Sequence, residues 1–154
     1  MTTKLSYRPG VGIVVIKPNI GIFAGKRIDK DIDSWQMPQG GIDPGESPYN
    51  AAKRELFEET SITSVKLLKQ IDQWLYYDVP KEFIPNSWHN KYCGQQQKWF
   101  LMEFTGEDKE INIATKEPEF AEWSWINNQE ILKHIISFKK DLYIQIFKHF
   151  NLIK

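Results

Sequence analysis

A helix that must lie against a core while carrying three carboxylates is the strongest constraint in this chain. Ser47 is an N-cap residue type, and Pro48 follows where a missing N–H costs nothing. The pair predicts a helix opening at Ser47 and running through Ala51, Ala52, Arg54, Glu55, Leu56 and Phe57. At about 100° per residue, Glu55, Glu58 and Glu59 share an arc of roughly 100°, where like charges repel by a few tenths of a kcal/mol. Ala52 and Leu56 stand beside these acids, so their face borders the core rather than bulk water. Two readings are open from the helix alone: a solvated acidic face, or a site where a cation relieves the repulsion. Mg²⁺ suits the second, because it takes oxygen ligands and is commonly held by a few carboxylates with waters and substrate phosphates.

The remainder of the chain predicts one mixed α and β unit spanning residues 1–154. Runs rich in β-formers, Gly12 to Ile16 and Ile20 to Ala24, flank Lys17-Pro18-Asn19 and read as a hairpin. Further strands are expected at Val65 to Gln70, Trp74 to Asp78, Trp99 to Phe104 and Glu122 to Ile126. A second helix is expected from about Asn128 to Phe150, kinked near Ser137, with Leu142, Ile146 and Phe150 as its packed stripe. Pro80 to Gln96 shows no periodicity and reads as a long loop.

Twenty basic side chains balance twenty acidic ones, so no global field steers the protein to nucleic acid or an anionic membrane. Any nucleic-acid contact must be local. The sole cysteine, Cys93, cannot form an internal disulfide, and no Cys/His grouping reads as a zinc site. A reducing cytoplasm fits, and the apolar run from Val11 to Ile16 is too short for a secretory or membrane segment. Neither a G-x-S-x-G turn nor a phosphate-binding loop ending in lysine and Ser/Thr is present, which excludes the commonest serine-hydrolase and NTPase signatures.

Gly40, five residues, Glu46, seven residues and Arg54-Glu55-Leu56-x-Glu58-Glu59-x-x-Ile62 resemble the Nudix box, G-x5-E-x7-R-E-U-x-E-E-x-G-U with U aliphatic. Ser61 stands where the family has glycine just beyond the helix, and serine in a left-handed C-cap would cost up to roughly 1 kcal/mol. The resemblance implies an α/β/α sandwich with a mixed sheet and a loop–helix–loop catalytic motif. It implies that Glu55, Glu58 and Glu59 hold Mg²⁺, for which Mn²⁺ or another divalent cation can substitute. The Gly40 carbonyl is a further ligand, and Glu46 and Arg54 support the motif. Such cations polarise phosphoryl oxygens, lower the pKa of bound water and neutralise developing charge.

The similarity extends to the bacterial branch of RNA 5′-pyrophosphohydrolases and dinucleoside polyphosphate hydrolases. It is carried by Tyr7-Arg8-Pro9-Gly10-Val11-Gly12, Ser34-Trp35-Gln36-Met37-Pro38-Gln39-Gly40-Gly41, Gly94-Gln95-Gln96-Gln97-Lys98-Trp99-Phe100, Pro118-Glu119-Phe120-Ala121-Glu122-Trp123 and Ser137-Phe138-Lys139-Lys140-Asp141. By that resemblance Arg8 and Lys139 contact phosphates, and Arg27, Ser34, Ser137 and Phe138 line a base-binding cleft. Gln39, Tyr77 and Lys98 approach the polyphosphate or nucleotide, and Glu119 is an additional metal ligand or general base. Plainer readings stand beside these: surface charge for Arg8, a surface carboxylate for Glu119, a half-buried strand aromatic for Tyr77. Trp74, Trp99, Trp123 and Trp125 are read as sheet core.

The function implied is Mg²⁺-dependent hydrolysis of a phosphoanhydride, converting 5′-triphosphate RNA ends to 5′-monophosphates. The alternative is asymmetric hydrolysis of dinucleoside polyphosphates such as diadenosine tetraphosphate. A non-catalytic nucleotide-binding module is a third reading, disfavoured because every box carboxylate is present. No obligate protein partner and no membrane association are expected.

Overall fold

The computed structural model describes residues 6–28 and 34–153. Its first strands form the expected hairpin, β1 (Ser6–Lys17) and β2 (Gly21–Arg27), followed by two short strands, β3 (Trp35–Gln36) and β4 (Gln39–Gly41). Helix α1 (Pro48–Thr60) leads into β5 (Val65–Gln70) and β6 (Leu75–Asp78). Then come β7 (Tyr92–Phe104), β8 (Phe120–Ile126), α2 (Asn128–His134) and α3 (Lys140–His149).

One mixed sheet organises these elements, in the order β3-β2-β1-β7-β5, with β4 beside β1, β6 beside β7 and β8 beside β2. Its central pair, β1 and β7, is parallel, while the other pairings are antiparallel. Alternation along the strands sends side chains to two faces. On one, Val11, Ile13, Val15, Phe100, Met102 and Phe104 pack against Ala51, Ala52 and Leu56 of α1. On the other, Val14, Trp99 and Leu101 pack against Ile131 of α2 and Leu142, Tyr143, Ile146 and Phe147 of α3. This is the α/β/α sandwich. Each fully buried aliphatic or aromatic side chain contributes about 1.5–3 kcal/mol, so both helical layers are bound by their apolar stripes.

Helix α1 forms as its caps dictate. Ser47 Oγ accepts the Asn50 N–H at 3.2 Å, and Pro48 occupies the first turn. At the other end Ser61 adopts φ 65° and ψ 8°, the left-handed conformation expected of a glycine there. The serine has a compensation: its Oγ donates to the Asn112 carbonyl at 2.9 Å, tying the helix end to the segment before β8.

Two expectations need correction. Asn128 to Phe150 is not one kinked helix: Ile135 at φ −69°, ψ 145° and Ile136 at φ −58°, ψ 138° are extended. A 3₁₀ turn over Ser137–Lys139 then leads into α3. Pro80 to Gln96 is likewise not all loop, since 3₁₀ turns cover Lys81–Phe83 and Asn86–Trp88, and β7 starts at Tyr92. Gln95 and Gln97 face polar surroundings in this strand, so no apolar alternation marks its first half. Strands β3 and β4, of two and three residues, were not foreseen.

Gly12 decides how the central strands meet. It pairs with Trp99 across the β1–β7 ladder, and a Cβ on it would fall inside the indole ring. Trp99, with no exposed surface, therefore lies flat over β1. Gly12→Ala should destabilise by about 1–3 kcal/mol or more through overpacking, lowering the thermal midpoint by about 2–4 °C per kcal/mol in a chain of this size. An unchanged midpoint would show that the indole does not need the space. At Ser61, alanine should destabilise more than glycine in the same assay, because alanine keeps the left-handed strain and loses the bond to Asn112. A Ser61→Gly variant less stable than Ser61→Ala would reverse that account.

Candidate active site

The face of α1 nearest β4 carries the acids, and a glycine admits them. A Cβ on Gly40 would coincide with the Glu55 carboxyl group, so this side chain can lie on β4 only because residue 40 has none. Glu59, one turn further, is 7% exposed and its Oε2 has no hydrogen-bond partner. Burial first, and then the charges of Glu55 and Glu119, hold its pKa well above the usual carboxylate range, against the pull of Arg27 and the Gln39 backbone N–H. Burial also raises Glu55, against the neighbouring Arg54 guanidinium.

Arg54 organises the loop before the helix. Its Nε and Nη2 donate to the two Glu46 carboxylate oxygens at 2.8 and 2.9 Å, and Nη2 also donates to the Gly41 carbonyl at 2.9 Å. Nη1 donates to Glu55 Oε1 at 2.8 Å and Glu58 Oε2 at 3.1 Å. Glu46 Oε1 further accepts the Asp43 N–H at 3.0 Å. The planar fork thus locks loop to helix and sets the angle at which Glu55 is presented.

Glu55 and Glu59 stand in a cleft of about 910 Å³ whose walls carry Arg8, Arg27, Gln39, Tyr77, Glu119, Phe138 and Lys139. Arg8 approaches over Gly41, where a Cβ would meet its guanidinium. Arg27 Nη2 lies 3.7 Å from Glu119 Oε2. Phe138 stacks on Tyr77 at 6.2 Å and leans on Phe83 at 5.4 Å, making an aromatic wall beside the buried Lys139 ammonium. Burial raises the Tyr77 phenol to about 12, so it stays protonated and can donate.

Other residues named from the sequence lie elsewhere. Glu58 is half exposed beside Arg54 and does not line the cleft. Lys98 donates to the Asp72 carbonyl at 2.5 Å and sits 5.1 Å from the Trp74 ring. Ser34 is buried with its Oγ unpartnered, and neither it nor Ser137 lines the cleft. Gln36, Gln95, Phe83, Trp88 and Tyr92 do line it and were not anticipated. Gln36 and Gln95 lie within stretches already singled out by resemblance, whereas nothing local marks Phe83 or Trp88.

Among the described residues no three acidic, histidine or cysteine side chains form a ready-made metal cage. The donors nevertheless suit a hard divalent cation: an unpartnered buried carboxylate oxygen on Glu59, with Glu55 and the Gly40 backbone alongside. The charges of Glu55 and Glu119 disfavour ionisation of Glu59.

Known proteins resemble this chain in sequence and in fold. Residues 6–146 match the NUDIX domain family. A Rickettsia prowazekii (strain Madrid E) protein named RNA pyrophosphohydrolase is 49% identical, covering 96% of this chain and 91% of its own length. One of that name from Roseobacter denitrificans (strain ATCC 33942 / OCh 114) is 42% identical, covering 96% and 94%. In fold, the E. coli dihydroneopterin triphosphate pyrophosphohydrolase superposes with TM-score 0.70 at 19% identity, over 94% of this chain and 97% of its own. A C. elegans Ap4A hydrolase binary complex gives 0.65 at 20% identity, over 94% and 99%.

Hydrogen bonds from Arg54, first of all, lower the Glu46 pKa from 4.5 to about 2. A depressed folded pKa means that this group's stabilisation is complete above 4.5 and disappears as pH falls towards about 2. Wild-type protein and Glu46→Gln should therefore differ in thermal midpoint at pH 7 and converge by pH 2–3. A gap that stays constant across this range would refute the ion-pair account.

Proposed function

The chain belongs to the Nudix family of pyrophosphohydrolases, and on that premise we propose that it converts 5′-triphosphate RNA ends to 5′-monophosphates. One observation carries the reading: a carboxylate pair, the half-buried Glu55 and the buried Glu59, in a cleft that Arg8, Arg27 and Lys139 also line. Acids that repel one another, faced by cations, suit a ligand bearing both metal and phosphate. The names of relatives at 42–49% identity support RNA as substrate.

Nudix hydrolases generally work with divalent metal ions, and Mg²⁺ is the one proposed here. Glu55, Glu58, Glu59 and Glu119, with the Gly40 carbonyl, would hold it. When bound, it supplies electrophilic polarisation of the phosphoryl oxygens and a lowered pKa for bound water. The chain's own residues position the substrate. Arg8 and Lys139 take phosphate oxygens, for which the guanidinium fork and the ammonium point charge are suited. Phe138 and Arg27 flank the unpaired base, since aromatic and guanidinium planes stack on bases. Glu119, on the loop before β8, takes the proton of the attacking water or completes the ligand set. Glu58, although outside the cleft lining, stays in the ligand set because Arg54 Nη1 holds it together with Glu55; Ser34, Ser137 and Lys98, also outside it, are given no part in this reading. The sole cysteine, Cys93, which cannot form an internal disulfide, fits a cytoplasmic setting.

The test offers purified protein with Mg²⁺ equal concentrations of 5′-triphosphate RNA and diadenosine tetraphosphate and compares kcat/KM at fixed salt. RNA should be preferred, and a preference for the dinucleotide overturns the substrate assignment. Glu59→Gln should lose about 10²–10⁴ in kcat/KM while its thermal midpoint does not fall, because it removes an unpartnered buried carboxylate oxygen. Near-normal turnover would sink the catalytic assignment itself.

A further inference from the structure

The indole N–H of Trp99 and the ammonium of Lys139 can only donate, and they stand at the two ends of one chain of side-chain amides. Trp99 Nε1 donates to Gln97 Oε1 at 2.9 Å. The Gln97 amide must therefore turn its nitrogen the other way, where Nε2 donates to Gln95 Oε1 at 3.0 Å and to Gln39 Oε1 at 3.3 Å. From the opposite end, Lys139 Nζ donates to Gln36 Oε1 at 3.1 Å and, longer, to Gln39 Oε1 at 3.5 Å. Two donors converge on the Gln39 oxygen, so its Nε2 faces away, 3.5 Å from the Tyr77 hydroxyl at the cleft wall. The Gln95 oxygen is likewise taken, which leaves its Nε2 for the cleft that this residue lines. These orientations follow from what each end group can donate and do not depend on telling amide nitrogen from oxygen.

Sheet geometry makes the chain possible. Gln95, Gln97 and Trp99 alternate along β7 and share one face, and Gly10 and Gly12 lie opposite Gln97 and Trp99 on β1. With no side chain on β1 at those positions, Gln97 reaches over that strand to Gln39 on β4, whose register partner is Gly12. Gln97 itself has no exposed surface and does not line the cleft.

We propose that Gln97, anchored by Trp99, is a positioning residue that fixes the amide polarity of the cleft wall, so that Gln39 and Gln95 present N–H groups to a polyphosphate. A flipped amide would instead turn a carbonyl oxygen towards phosphate oxygens. The proposal rests on the reading that this cleft holds a polyphosphate chain, and it is indifferent to whether RNA or a dinucleotide carries it.

Gln97→Met preserves much of the volume and removes both the donor and the acceptor. For the Mg²⁺-loaded variant, KM for 5′-triphosphate RNA and the calorimetric Kd for inorganic tripolyphosphate should both rise about tenfold, the scale of a lost hydrogen bond to a charged group. Its kcat should stay within about threefold, because the carboxylates are untouched. A folded variant with wild-type KM and Kd, or one that loses kcat at constant KM, overturns the assignment. The Kd needs no turnover, so it separates this idea from the RNA reading, which fails on substrate preference. Should Gln97→Met not fold, wild-type NMR decides: tripolyphosphate should shift the side-chain NH₂ resonances of Gln39 and Gln95, and stationary resonances refute the proposal.

Discussion

Everything at the site depends on one guanidinium. Withdrawing carboxylates from water beside each other is unfavourable, and the fold does so with the half-buried Glu55 and the buried Glu59, whose Oε2 has no hydrogen-bond partner. Arg54 is what keeps the arrangement in place, because its fork joins Glu46, the Gly41 carbonyl, Glu55 and Glu58. Its hydrogen bonds to Glu46 above all raise its own pKa, so it remains a cation under any condition in which the protein folds. A lysine could not substitute: a single ammonium has neither the fork nor the reach to satisfy a loop carbonyl and three carboxylates together.

The two faces of the sheet then divide the work. Beneath α1 the packing is apolar, with Val11, Ile13, Phe100 and Met102 against Ala51, Ala52 and Leu56. The opposite face changes character along its length. Under α3 it is apolar through Trp99, Leu101 and Tyr143, and towards the start of β7 it becomes the amide chain of Gln97 and Gln95. Trp99 sits at the boundary, its ring in the core and its N–H facing the polar end. The Tyr143 hydroxyl has a similar place, accepting the Met37 N–H at 3.0 Å and pinning the strand connection that leads to Gln39.

How legible this was depended on whether a signal was local. Helix α1 could be read to its ends, since Ser47, Pro48 and the Ser61 position are short-range capping chemistry. Strand β5 matched residue for residue, Val65–Gln70, and the packed stripe of α3 was visible as four-residue spacing. The first half of β7 was hidden because its inward residues are glutamines, which alternation of apolar and polar residues cannot mark. Resemblance located Arg8, Arg27, Gln39, Tyr77 and Lys139 in the cleft, yet it also named Lys98 and Ser34, whose side chains point to other surroundings. A motif says which residues accompany one another in sequence. Which face of the sheet each one takes is a matter of register.

The break between α2 and α3 shows why a helical reading of that region was reasonable and still incomplete. Apolar spacing persists across it, because Ile131 and Leu142 both belong to the same core. Had the helix continued, Phe138 and Lys139 would have followed its surface. Instead Ile135 and Ile136 take extended backbone, and the 3₁₀ turn over Ser137–Lys139 swings the pair towards β6. There Phe138 stacks on Tyr77 and the Lys139 ammonium lies 5.6 Å from the centre of the same ring. A buried ammonium needs acceptors close by, and the Gln36 and Gln39 oxygens provide them at 3.1 and 3.5 Å. The neutral overall charge of the chain is thus compatible with an anion-binding cleft, because the positive charge is concentrated by backbone geometry and held by amide oxygens.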